Sequence, residues 1–149
     1  MDVLFVNPGN ASGIYQNLAN SVVAVEPPTW ALLLAESVRS NGKKVAILDA
    51  NAERLTIDET VERVKQYKSK LICFVVYGQQ PSASTQNMQG ASEYSRLLRE
   101  TAPDLKIIFI GGHVASLPFE VLKNEPQIDY VCQNEGVYSL RDLVLAYKS

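Results

Sequence analysis

The sequence predicts an α/β domain of the doubly wound, flavodoxin-like or Rossmann-like class, with five parallel strands in the order 2-1-3-4-5 and helices on both faces. Strand and helix patterns alternate five times along the chain, which is typical of parallel strands joined by right-handed crossovers. The strand candidates are continuous apolar runs, and such runs indicate strands that are covered on both faces. They lie at residues 3–6, 44–48, 71–76, 106–110 and 130–132.

Helical segments separate these strands. Gly42 suits the end of the first helix, and Thr56 and Glu59 are spaced as a capping box at the start of the second. Ser116 is expected to cap the fourth helix. The predicted helices cover residues 29–41, 56–68, 83–101, 117–123 and 137–147.

Length and charge narrow the class of protein further. The 149 residues suit one domain, and we expect a single domain over residues 1–149. The 14 basic and 16 acidic residues give a net charge of −2, without the basic stripe of a nucleic-acid or anionic membrane surface. No apolar run reaches the roughly 18 residues of a membrane span, and we expect no signal peptide before the first strand. Cys73 and Cys132 lie in predicted strands, so we expect buried free thiols and a cytoplasmic protein.

The ligand site is expected at one edge of the sheet. In this fold, ligands bind outside the carboxyl ends of the strands, where the strand order reverses. Five segments follow the strands there, and we call them the rim segments: residues 7–10, 49–51, 77–85, 111–113 and 133–136. They are rich in Asn, Gln, Ser and Gly and contain no Lys or Arg, and the phosphate-binding motifs G-x-x-x-x-G-K-[ST] and G-x-G-x-x-G are missing. Small neutral donors and acceptors fit a large ligand edged with amides, such as a corrin.

The rim segments supply the candidate cofactor-binding residues, and no catalytic or metal-ligating residue is predicted. The candidates are Asn7, Pro8, Gly9, Asp49, Tyr77, Gly78, Gln79, Ser82, Ser84, Thr85, Gly111, Gly112, His113, Asn134, Glu135 and Gly136.

Several of these residues have two readings. Gly111-Gly112 makes either a tight turn or room for close approach of a ligand. Residues 82–85 suit a helix N-terminus, whose free N–H groups are also available to a ligand. Asp49 either orients the loop after the second strand or caps it. His113, the only histidine, is more typical of a hydrogen-bonded residue than of a metal ligand.

Other side chains near the rim have simpler expected roles. Tyr15, Trp30 and Tyr77 are predicted to pack rather than to stack on a ligand. Glu135 is a candidate cap for the last helix.

Six stretches of sequence together resemble the N-terminal cobalamin-binding domain of cobalamin-dependent radical S-adenosylmethionine enzymes. Their order and spacing carry the resemblance over essentially the whole chain. They are VLFVNP at 3–8, EPP at 26–28, VAILDA at 45–50, VVYGQQPSASTQ at 75–86, GGHVASLP at 111–118 and NEG at 134–136.

The resemblance implies a flavodoxin-like domain that binds cobalamin with its dimethylbenzimidazole off the metal. The nucleotide tail would run beside residues 77–85 toward Gly111-Gly112, and the corrin would lie above the loops after strands one and three. Methionine-synthase-type domains carry Asp-x-His-x-x-Gly after the first strand, whereas this chain has NPGNAS at 7–12. A histidine ligand to cobalt from that loop is therefore excluded.

The resemblance also implies a missing partner. Radical enzymes hold a [4Fe–4S] cluster with Cys-x3-Cys-x2-Cys, but this chain has only two cysteines, far apart. The cluster and S-adenosylmethionine would belong to a catalytic domain or subunit, of methyltransferase type or another radical type, and this chain alone is not expected to be catalytic. It is either an excised domain, which we favour, or a stand-alone carrier. The alternatives are a degenerate interaction or scaffold domain and a flavin- or nucleotide-binding carrier.

Overall fold

Five parallel strands form one sheet in the order β2-β1-β3-β4-β5, which confirms the predicted fold class and strand order. The computed structural model describes residues 1–8, 27–77 and 81–147, and the side chains of residues 81–86 lie outside this description. The strands are β1 Val3–Asn7, β2 Val45–Asp49, β3 Leu71–Val75, β4 Lys106–Ile110 and β5 Tyr130–Cys132.

Six helices are described, one more than the sequence predicted. They are α1 Thr29–Arg39, α2 Ile57–Gln66, α3 Pro81–Thr101, α4 Gly112–Ser116, α5 Pro118–Asn124 and α6 Val137–Ala146. The capping box of α2 is confirmed, because Thr56 Oγ1 accepts from the Glu59 amide at 3.2 Å while Glu59 Oε2 accepts from the Thr56 amide at 2.8 Å. None of the helices in the described residues has the length and apolar character needed to cross a membrane.

The extra helix, α4, corrects two expectations. Residues 112 and 113 begin a single helical turn rather than forming a loop. Ser116 ends that turn and does not cap the next helix, because its hydroxyl donates to the carbonyl oxygen of Gly112 at 2.9 Å and Leu117 occupies the N-cap position of α5. The glycine pair concealed this helix, since glycine has a low helix propensity.

Apolar layers cover both faces of the sheet. On one face Leu4, Phe74 and Phe109 pack against α2, α3 and α4, and on the other Phe5 and Ile108 pack against α1 and α6. Side chains alternate between the faces along each strand, so β3, buried throughout, is apolar at every position. The continuous apolar runs in the sequence are therefore explained by double coverage.

The amino edge of the sheet carries a cluster of charged groups. Asp129, just before β5, accepts hydrogen bonds from Lys106 Nζ at 2.8 Å and from the Ile107 amide at 2.8 Å, and Arg99 of α3 also donates to it. Burial pushes the pKa of Asp129 upward, but these hydrogen bonds outweigh burial and hold the pKa below its usual value. This cluster ties α3, β4 and β5 together at the edge opposite the rim segments.

Candidate functional site

The carboxyl ends of the strands lie side by side and bring the rim segments to one edge of the sheet. Asn7 at the end of β1 is in register with Asp49 of β2, and Ile110 at the end of β4 is in register with both Val75 and Cys132. Parallel strands in this order place the switch point at this edge. The predicted location therefore has the geometry that a ligand site of this fold requires.

The first two rim segments are joined by Asn7 and Asp49. Asn7 Nδ2 donates to Asp49 Oδ1 at 2.8 Å, and the same oxygen accepts from the Ala52 amide at 3.0 Å. The Ala50 amide donates to the Asn7 carbonyl oxygen at 3.1 Å. Asp49 thus performs both roles considered for it, because it orients the loop across β1 and β2 and closes its own turn. Pro8 is buried beside this pair, whereas Gly9 lies outside the described residues.

The third rim segment enters α3 earlier than the sequence predicted. The helix begins at Pro81 and not at residue 83, so the backbones of Ser82, Ser84 and Thr85 belong to its first turns. Asn87, which sequence reasoning did not single out, donates from Nδ2 to the carbonyl oxygen of Tyr77 at 2.9 Å and ties the end of β3 to this helix. Gly78 and Gln79 lie outside the described residues, as do the side chains of Ser82, Ser84 and Thr85.

Tyr77 connects three separate parts of the chain. Its ring stacks on that of Trp30 at the start of α1, with centroids 4.3 Å apart and planes 17° apart. Its hydroxyl donates to the carbonyl oxygen of Asn134, beyond β5, at 3.2 Å. We call the set Trp30, Tyr77 and Asn134 the aromatic bridge. Both rings pack, as predicted, on the apolar layer beneath α1 and α6, and in addition they stack on each other.

The hydroxyl of Tyr77 is held as a neutral donor. Burial raises its pKa to about 12, with a smaller contribution from the charge of Glu135. A phenol with that pKa stays protonated throughout the physiological range. The bond to Asn134 is therefore independent of pH under ordinary conditions.

Gly111 is required by the protein itself. A Cβ at this residue would lie 2.1 Å from the carbonyl oxygen of Val76, and the backbone of Gly111 is extended rather than left-handed. Gly111 thus allows the ends of β3 and β4 to approach closely, a role that neither of the two interpretations of the sequence included. Gly112 and His113 are half-buried and occupy the first two positions of α4.

The last rim segment makes a compact turn into α6. Asn134 and Gly136 have left-handed backbones, with φ of 57° and 69°. Gly136 occupies the N-cap position without a side-chain hydrogen bond, so Glu135 does not cap the helix as expected. The side chains of Asn134 and Glu135 are exposed above the strand ends.

The donor set of the rim fits a large, mostly neutral ligand. Its only formal charges are the carboxylates of Asp49 and Glu135, and the carboxylate of Asp49 already accepts two hydrogen bonds. In the described parts of the chain, no group of three or more His, Cys, Asp or Glu side chains is placed to hold a metal ion. The described part of the rim therefore offers a ligand hydrogen bonds and shape complementarity.

Comparison with known proteins identifies the family. Residues 16–144 match the family described as B12 binding domain. The anaerobic magnesium-protoporphyrin IX monomethyl ester cyclase of Rubrivivax gelatinosus is 28% identical over 148 residues, which are 98% of this chain and 24% of the cyclase. The cyclase of the same name from Synechocystis is 31% identical over 124 residues, 83% of this chain and 24% of that protein. The chain thus spans about a quarter of the length of these relatives.

The fold has a counterpart among solved structures. The radical S-adenosylmethionine methyltransferase TsrM from Kitasatospora setae superimposes with a TM-score of 0.71 and 17% identity, over 97% of this chain and 25% of the methyltransferase. The similarity anticipated from the sequence motifs is confirmed. The match over residues 16–144, on a sheet of the strand order expected for this fold, shows that this chain belongs to the B12-binding domain family.

Proposed function

We propose that this chain is a single domain, residues 1–149, that binds cobalamin over its rim segments and presents it to a radical S-adenosylmethionine catalytic domain or subunit. The observation that carries the proposal is the neutral, compact rim at the switch point of a B12-binding fold. Cobalamin supplies cobalt-based methyl-transfer or radical chemistry. The catalytic partner would hold the [4Fe–4S] cluster and S-adenosylmethionine, since this chain has two cysteines, both buried.

The rim residues have distinct proposed roles toward cobalamin. Asn7 and Asp49 hold the first two loops at a fixed height below the corrin through their hydrogen bond. The exposed amide of Asn134 and the N–H groups in the first turn of α3 offer hydrogen bonds to the ligand edge. Residues 7–12 contain no histidine, so no imidazole from this loop ligates the cobalt.

The nucleotide tail is proposed to contribute most of the buried contact. It would pass beside residues 77–85 toward Gly111 and Gly112, where the side chains are small. Without a protein imidazole on cobalt and without cations in the rim, affinity has to come from hydrogen bonds and from burial of the tail. Two free, buried thiols suit the reducing cytosol, which we propose as the compartment.

The test is a binding experiment with hydroxocobalamin. The purified chain is mixed with hydroxocobalamin and passed through a gel-filtration column, and a coloured complex should elute with the protein. A protein peak that stays colourless at high micromolar cobalamin would contradict the proposal.

Substitutions test the route of the tail. Gly112→Leu and Ser84→Leu should reduce hydroxocobalamin binding at least about tenfold, because a bulky side chain obstructs a buried group. Gly42→Ala serves as the control for binding, since Gly42 precedes β2 at the edge opposite the rim segments and an added Cβ meets nothing within 4 Å. If Gly112→Leu binds as well as the parent, the tail does not pass there.

A further inference from the structure

We propose that Tyr77 is a specificity-determining residue, whose ring closes the α1–α6 side of the carboxyl end of β4 and is displaced only by corrinoids that carry a nucleotide tail. This inference rests on the proposed function, and it adds to it a residue that distinguishes one corrinoid class from another. Three features of the molecule support it: the span of the aromatic bridge, the face on which it lies and the tight packing of the neighbouring strands.

The span of the aromatic bridge follows from the strand order. Strand β4 lies between β3 and β5, while Tyr77 lies two residues beyond β3 and Asn134 two residues beyond β5. The Tyr77 side chain and its 3.2 Å hydrogen bond to Asn134 together therefore span the end of β4, across about two strand spacings or roughly 10 Å. A tyrosine side chain is long enough to cover most of that distance.

The bridge lies on the face that α1 and α6 cover. Trp30, which stacks on Tyr77, is the second residue of α1. Both rings pack on the apolar layer that contains Ile110, Cys132 and Leu140, the last of which belongs to α6. Ser37 of α1 also donates to the carbonyl oxygen of Val137 at 3.5 Å, which joins the two helices. A ligand group that descends between the sheet and these helices at β4 meets the Tyr77 ring first.

The backbone is tightly packed around the end of β4. The backbone of Gly111 lies so close to Val76 that even a methyl group would be 2.1 Å from its carbonyl oxygen. Beyond β4, a Cβ on Gly136 would lie 2.0 Å from Ile110 Cδ1. Because the Tyr77 ring bridges Trp30 and Asn134 over this packed strand end, we infer that a group entering on this face displaces Tyr77 from Asn134, whereas a corrin that remains above the rim does not.

The experiment compares two corrinoids on two variants. Association rates of hydroxocobalamin and of cobinamide, which lacks the nucleotide tail, are measured by stopped-flow absorbance. Tyr77→Phe keeps the ring and removes the hydrogen bond, so hydroxocobalamin should associate about fivefold faster, as expected for the loss of one neutral hydrogen bond. Cobinamide should associate at the parental rate. Tyr67→Phe, at a half-buried tyrosine packed on the opposite apolar layer, should change neither rate.

A second readout uses the parent sequence. In protein labelled with 3-fluorotyrosine, the ¹⁹F resonance of Tyr77 is identified by its change in Trp30→Leu, which removes the stacked ring. It should move when hydroxocobalamin binds and stay in place with cobinamide. If Tyr77→Phe fails to fold, this readout still decides the matter.

The outcomes separate the two proposals. If the parent binds hydroxocobalamin but the Tyr77 resonance stays in place, or if Tyr77→Phe leaves the rate unchanged or slows it, the role of Tyr77 is overturned while the proposed function stands. An equal increase in the association rates of both corrinoids also overturns it, because Tyr77 would then not discriminate between corrinoids with and without the nucleotide tail. A parent that binds no hydroxocobalamin overturns both proposals.

Discussion

At the scale of single residues, Gly136 combines a backbone requirement with a packing requirement. Its φ of 69° lies in the left-handed region, and a Cβ there would lie 2.0 Å from Ile110 Cδ1. Gly42 shares the left-handed backbone, with φ of 80°, but an added Cβ would have open space. The two glycines therefore separate the cost of the backbone conformation from the cost of the contact.

We expect Gly42→Ala to lower the free energy of unfolding by about 1 kcal/mol, the cost of a left-handed alanine. Gly136→Ala should lower it by roughly 2–4 kcal/mol, because overpacking adds to the same backbone cost. Ile110→Val removes the δ1 carbon, so Gly136→Ala should cost less in that background. Urea unfolding of the four variants measures these differences. If both single glycine variants lower the free energy of unfolding equally, the Ile110 side chain moves aside without a measurable energetic penalty.

At the scale of elements, Asp129 joins α3, β4 and β5 through hydrogen bonds from Arg99, Lys106 and the Ile107 amide. The pKa of Asp129 in the folded protein lies below its usual value, which in an unfolded chain is about 3.9. Its stabilising contribution is therefore complete above that unfolded value and is lost as the pH falls through the folded one.

We expect Asp129→Asn to destabilise the protein at pH 7 and to lose much of that effect at about pH 3, where Asp129 itself becomes protonated on unfolding. The check is urea unfolding of parent and variant at both pH values. Asp142→Asn is the matched control, because Asp142 forms an exposed pair with Arg141 and such pairs contribute little. If the parent and Asp129→Asn differed in free energy of unfolding by the same amount at both pH values, the charge of Asp129 would not be what stabilises these elements.

The elements themselves were largely predictable, and the exceptions have physical causes. The apolar runs placed all five strands to within about a residue because both faces of the sheet are covered. Helix α4 was missed because one turn of five residues has no periodicity and starts at a glycine. The site was predictable only as a set of loops. The contact of Tyr77 with Asn134, 57 residues apart, depends on strand order and side-chain direction together, and no local pattern encodes it.

At the scale of the whole molecule, the two cysteines report on the integrity of the sheet. Cys73 lies at the centre of β3 and Cys132 at the end of β5, and both are buried. Burial raises the pKa of each thiol, and the proximity of Cys132 adds to the effect at Cys73. Neither side chain therefore forms the reactive thiolate in the native protein at neutral pH.

We expect a thiol-specific reagent to modify both cysteines only through unfolding of the sheet. At pH 8 the native chain should react at least about a hundredfold more slowly than the chain in denaturing urea. The measurement is the release of thionitrobenzoate from Ellman's reagent over time. Prompt reaction of one thiol in the native chain would show that its strand opens locally.

The aromatic bridge has a consequence for how this molecule can be observed. Trp30 is the only tryptophan, and it lies in contact with Tyr77 at the carboxyl edge of the sheet and not in the centre of either apolar layer. Fluorescence excited at the long-wavelength limit of protein absorption comes from Trp30 alone, and therefore from this part of the sheet. Far-ultraviolet circular dichroism, in contrast, averages over all helices. Comparing the two signals during gradual denaturation distinguishes local opening around Trp30 from unfolding of the whole sheet, without any added label.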